Sequence, residues 1–136
     1  MQFLPRRSLI STLALCALGA WSAFSAMAQD YPNKPIRLVV PFIAGSLVDV
    51  MGRAIAEEMQ NTWKQAVVID NKPGANGNIA AELVAKAPAD GYTVLYNTSS
   101  IALSATLYKK LNYDVKTDFS PVALTAVIPL ALMVHP

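Results

Sequence analysis

Beyond residue 30 the chain alternates short β-branched runs with single amphipathic helices, a pattern that admits few folds besides a mainly parallel sheet. Ile36-Arg37-Leu38-Val39-Val40, bounded by Pro35 and Pro41, predicts a first strand. Leu47, Val50, Met51, Ala54, Ile55 and Met59 then recur at three- and four-residue spacings, with Glu57, Glu58 and Gln60 turned outward. That spacing predicts an amphipathic helix of about three to four turns. Val67-Val68-Ile69 predicts a second strand buried in the sheet, and residues 71–77 a loop by their Pro-Gly and Asn-Gly content. Residues 79–87 predict a second helix and Thr93-Val94-Leu95-Tyr96 a third strand. Residues 101–107 are expected to be helical, residues 112–120 a turn-rich connector, and residues 122–127 a fourth strand. Pro129 separates residues 130–134 as a further strand or crossover. Right-handed crossovers between parallel strands place helices on both faces of such a sheet, and the near-continuous apolar strands agree with burial on both sides.

The first 28 residues carry a different pattern. Arg6 and Arg7 precede an apolar stretch over residues 9–24, and Ala26-Met27-Ala28 supplies the small-x-small end that signal peptidase accepts. Cleavage is expected between Ala28 and Gln29, which makes residues 1–28 a signal peptide and residues 29–136 an exported α/β lobe. An uncleaved anchor is the alternative, since residues 8–28 are just long enough to span a bilayer. The polar pair Gln29-Asp30 directly after Ala-Met-Ala favours cleavage. The Arg pair fits twin-arginine export only in part.

Removal of the signal changes the charge. The whole chain has 11 basic and 9 acidic residues and a formal charge of +2. Arg6 and Arg7 leave with the signal, so the remaining 136 − 28 = 108 residues are formally neutral. No basic stripe is left for a nucleic acid. Charged residues are 15% and hydrophobic residues 54%, which excludes a disordered tail and a coiled coil. Cys16, the single cysteine, also departs, so neither a disulfide nor a cysteine metal site is expected.

In an open parallel sheet, ligands bind beyond the carboxyl ends of the strands. The loops at residues 41–46, 71–78 and 97–100 leave those ends, and the first two run directly into helices. Helix N-termini present unpaired N–H groups and a positive dipole end, so each loop is suited to an anion. Enzyme motifs do not match. Ser46 lacks the second glycine of a nucleophile elbow, and His135, the single histidine, lies at the far end of the chain. The loop Gly74-Ala75-Asn76-Gly77-Asn78 misses the middle glycine of a dinucleotide loop. No cofactor or metal is implied. Asp49, in the first helical turn, serves either as a cap for loop N–H groups or as a ligand contact, and Asn78 either as a helix cap or as a ligand donor.

The strings YPNKPIRLVVPF and VVIDNKPGANGNIAAELVAKAPADGYTVL, then LYKKLNYDVKTDFSPVAL, resemble in order the signatures of the Bug family. These are the periplasmic solute-binding receptors of tripartite tricarboxylate transporters. The likeness covers residues 31–136. It implies the first lobe of a two-lobed periplasmic binding protein, a small carboxylate ligand and membrane permease subunits as partners. It also implies a pocket built from Phe42, Ala44, Gly45 and Ser46 with Asp49 beneath, Ala75, Gly77 and Asn78 from the second loop, and Thr98 and Ser99 from the third. The family's first loop is usually rich in proline and glycine, whereas Ile43-Ala44-Gly45-Ser46-Leu47 keeps one glycine. The chain ends where the family crosses to its second lobe, so a truncated lobe is expected, one that binds ligand weakly or not at all by itself. The alternatives are a small exported α/β enzyme and a non-functional remnant.

Overall fold

The computed structural model describes residues 30–127 and 132–133, and the expected signal peptide lies outside them. The described residues from Pro32 onward belong to one compact unit. Its described elements are β1 (Ile36–Val40), α1 (Leu47–Trp63), β2 (Val67–Asn71), a 3-10 turn (Ala75–Gly77), α2 (Asn78–Ala85), β3 (Thr93–Leu95) and α3 (Ser100–Leu107). The three strands form one parallel sheet in the order β2-β1-β3. From β1 the chain steps to one side to make β2, then back across β1 to make β3. With right-handed crossovers, those opposite steps place α1 and α2 on opposite faces. The architecture is the parallel α/β lobe that the sequence predicts.

β1 sits in the centre because it is the most apolar strand. Ile36, Leu38 and Val40 face α1, and Val39 faces the other way with no exposed surface. Ile36, Leu38, Ala56 and Val67 form the core on the α1 side, with Met59, Ile69, Tyr92, Val94 and Tyr96 packed around it. α2 brings the fully buried Ala80 and Ala81, small residues that let it lie close against β3 and β1.

Four expectations need correction. α1 is 17 residues long, nearer five turns than three or four. Its buried stripe is Asp49, Gly52 and Ala56, so the expected inward face is rotated: Leu47 and Val50 stand 65% and 56% exposed. Gly52 sets that rotation, because a Cβ there would lie 3.2 Å from the Tyr96 ring and 3.5 Å from Val40. Val68 is exposed rather than buried, since β2 is an edge strand with α1 on one face only. Residues 122–127 are not a fourth strand. They carry no regular secondary structure and no ladder partner among the described residues, and Val122, Leu124 and Val127 are 78–87% exposed. The Tyr96 hydroxyl meets the Thr125 hydroxyl at 3.2 Å, a side-chain contact that cannot replace a ladder. Of residues 130–134, expected as a further strand or crossover, only Leu132 and Met133 are described, both exposed and without regular structure.

Candidate functional site

All three strands point the same way, so the loops after β1, β2 and β3 lie at one end of the sheet. Lys72 N–H bonds Val40 O at 2.8 Å and Tyr96 N–H bonds Val39 O at 2.9 Å, which carries the sheet pairing up to the roots of the second and third loops.

The first loop is organised from below by Asp49. Asp49 is 1% exposed. Oδ2 accepts the Gly45 N–H at 2.8 Å and the Arg53 Nε–H at 2.9 Å, and Oδ1 accepts Asn71 Nδ2–H at 2.8 Å. The Arg53 guanidinium, with the Gly45 N–H and the Asn71 amide, pulls the Asp49 carboxyl down to about 2. Asn71 ties the loop a second time by donating to Phe42 O at 3.0 Å. Ser46 is the N-cap of α1: its hydroxyl accepts the Asp49 N–H at 3.3 Å. Asp49 therefore fastens the loop from within, as its position in the first turn suggests.

This arrangement divides the loop's amides. Gly45 N–H is held by Asp49 and Ser46 N–H by Ile43 O at 3.2 Å, so neither faces outward. Ala44, Leu47 and Val48 have no acceptor for their N–H groups among the described residues. Leu47 and Ser46 do not plug the loop; the Leu47 side chain projects into solvent.

The second loop holds four consecutive residues at positive φ, from Gly74 at 130° through Ala75 at 46° and Asn76 at 54° to Gly77 at 91°. Gly77 N–H returns to Gly74 O at 2.9 Å and Asn78 N–H to Ala75 O, leaving the Ala75 and Asn76 amides without a protein acceptor among the described residues. Asn78 is the first residue of α2 and not its cap. Its Oδ1 accepts the Tyr113 hydroxyl at 2.7 Å. Burial pushes the Tyr113 phenol up, and its ring meets Phe119 edge-on with centroids 5.7 Å apart.

In the third loop, Thr98 N–H donates to Asn97 Oδ1 at 2.7 Å, and the Thr98 hydroxyl donates to Ser100 Oγ at 3.2 Å. Ser99 is exposed, and its N–H has no acceptor among the described residues. The structure thus brings the ten sequence-selected residues to one end of the sheet, though only some of them present a free donor. Sequence reasoning passed over Asn71, Asn97 and Tyr113. Asn71 was marked as loop, but it ends β2 and holds the first loop. A hollow of about 500 Å³ lies beside α1, lined by Val48, Met51, Asn97, Thr98 and residues 123–127.

A family model described as "Tripartite tricarboxylate transporter family receptor" matches residues 51–136. A UPF0065 protein of Bordetella bronchiseptica is 43% identical over 135 residues, which are 98% of this chain and 39% of that protein. The chain thus spans about two-fifths of the length of that curated relative. Among solved structures, Rpa4515 of R. palustris, determined with adipate, is 46% identical with a TM-score of 0.65 over 68% of this chain and 31% of the other. The periplasmic binding protein BugD is 41% identical with a TM-score of 0.64 over 67% of this chain and 30% of its own.

Proposed function

The chain belongs to the tripartite tricarboxylate transporter receptor family, and from that premise we propose that it forms the carboxylate-holding side of a periplasmic receptor. The ligand is a small di- or tricarboxylate lying over the carboxyl ends of β1, β2 and β3. Backbone N–H groups at the starts of α1, α2 and α3 receive its charge. A second wall, supplied by a facing lobe, closes over it, and the closed form delivers the ligand to membrane permease subunits. The observation that carries this assignment is the Asp49 knot. A buried carboxylate with three donors on it pins the first loop so that Leu47 and Val48 keep their N–H groups unengaged.

The chemistry of the site agrees with binding and not turnover. Ser46 Oγ accepts the Asp49 N–H, and no base donates to it or accepts from it among the described residues. Asp49 is committed to three donors and depressed to about 2, which suits a scaffold and not a general base. The exported-enzyme alternative would be favoured by turnover that disappears in Ser46→Ala.

Titration of the chain with adipate, malate and citrate, and with hexanediamide as the uncharged analogue, tests the assignment. Weak, saturable binding of the carboxylates and none of the diamide is expected. Equal responses to adipate and hexanediamide would overturn it.

A further inference from the structure

α3 reverses the usual pattern of an amphipathic helix. It buries Ser100 and Ser104 while Leu103 and Leu107 stand more than half exposed. The space it faces is polar, because the connector that follows it places Tyr113, 8% exposed, beside Ser104. The Tyr113 hydroxyl donates to Asn78 Oδ1 at 2.7 Å, and the Ser104 hydroxyl donates to Ser100 O at 2.9 Å. Asn112, the preceding residue, donates from Nδ2 to Glu82 Oε1 at 3.2 Å. Asn78 and Glu82 stand four positions apart on α2, so two consecutive side chains grip the same face of that helix. The connector is itself braced. Asp114 N–H donates to Asp118 Oδ2 at 2.8 Å, Asp118 N–H returns to Asp114 O at 3.1 Å, and Phe119 packs edge-on against the Tyr113 ring.

The start of α2 has little else to hold it. α1 begins with the Ser46 cap and the Asp49 carboxylate. Gly77, the N-cap of α2, offers no side chain, and the turn before it runs through four residues at positive φ. The Asn78 Nδ2 is buried without a partner among the described residues, so the Tyr113 bond is what orients that side chain. Resting on the carboxylate-receptor assignment, we propose that Tyr113, with Asn112 beside it, is a positioning residue: it fixes the start of α2, and with it the unengaged Ala75 and Asn76 N–H groups of the second loop. Tyr113 acts from behind the ligand end and does not touch the ligand. It lines a separate hollow with Tyr108, Lys109 and Leu111, not the one beside α1, and its hydroxyl is committed to Asn78. Hydrogen bonds weaken steeply away from their preferred geometry, so a loosened second loop lowers affinity without any contact being deleted.

Tyr113→Phe in the 136-residue chain tests the proposal, since it keeps the ring against Phe119 and removes only the hydroxyl. In backbone amide NMR without ligand, the Ala75, Asn76 and Asn78 signals are expected to shift or broaden. Those of Leu47 and Val48, in the loop that Asp49 holds, are expected to stay in place. Titrated with adipate to tens of millimolar, the variant is expected to bind about threefold to tenfold more weakly than wild type, the range of one hydrogen bond. Asn78→Ala removes the acceptor, and in that background Tyr113→Phe is expected to change the affinity no further. An unchanged adipate affinity in Tyr113→Phe, or an equal loss in both backgrounds, overturns the proposal and leaves the receptor assignment standing. If the wild-type chain does not bind adipate, or responds equally to hexanediamide, the receptor assignment falls and the proposal with it. Should Tyr113→Phe not fold, Asn112→Ala carries the test from the exposed half of the grip. A loss of about twofold in adipate affinity is expected there, and no loss overturns the proposal.

Discussion

Gly77 meets two demands that no other residue type meets together. Its φ is +91°, and a Cβ would sit 3.2 Å from the Pro41 side chain, where the first and second loops touch. Gly77→Ala is expected to destabilise the fold by about 1–3 kcal/mol, read as a lower urea midpoint at unchanged slope. Asp49 sets the pH response. Its folded pKa of about 2 lies below its ordinary 3.8, so its stabilisation is complete above the ordinary value and is lost as pH falls through the folded one. The urea midpoint is expected to drop between about pH 4 and pH 2. Asp49→Asn is expected to lower the midpoint at pH 7 and to flatten that acid limb, because the amide pairs poorly with the Arg53, Gly45 and Asn71 donors. An acid limb identical to wild type would show that the fold is not titrated through this carboxyl. Asp49 was legible in the sequence because capping is local: its partners Gly45 and Arg53 lie four residues away on either side. Tyr113 was not, because it meets Asn78 across 35 positions, and an amide's idle donor leaves no periodic trace.

Secondary structure followed from the sequence where one element made its own pattern and failed where tertiary neighbours decided it. β1, β2, β3 and all three helices are where β-branched runs and helical spacing predict them, within about two residues at most ends. The length of α1 was short in prediction because its last turn is polar; an αL residue, Lys64 at φ 55°, ends it by returning its N–H to Gln60 O. Its inward face was misjudged because hydrophobicity ranks Leu47 and Val50 above Gly52, whereas close packing against Tyr96 needs the glycine. The strand expected at residues 122–127 has suitable residues, but a strand also needs a ladder partner, which composition cannot reveal. The central and edge strands should differ accordingly. Ile36→Ala, in the core under α1, is expected to cost about 2–5 kcal/mol. Val68→Thr, on the exposed face of the edge strand, should stay within about 0.5 kcal/mol. Equal effects in urea denaturation would mean that the α1-side core is not what holds the sheet.

For the whole molecule, the placement of three loops at one sheet end followed from parallel alternation alone, and the limit on affinity follows from the same geometry. A helix N-terminus contributes about 0.3–1 kcal/mol to an exposed anion and about 2 at best when partly buried. Three of them give about 6 kcal/mol, before association entropy is counted, against about 8 for a micromolar Kd. The first loop is also open to solvent: Ile43, Leu47 and Val50 beside it are more than half exposed. Water therefore competes for every free N–H. In isothermal titration the chain by itself is expected to bind adipate no more tightly than about 0.1 mM, with an affinity that rises when a facing lobe is supplied in the same polypeptide. A submicromolar Kd for the chain alone would mean that the three loops already exclude water among themselves, and that closure of a second wall is not the source of affinity.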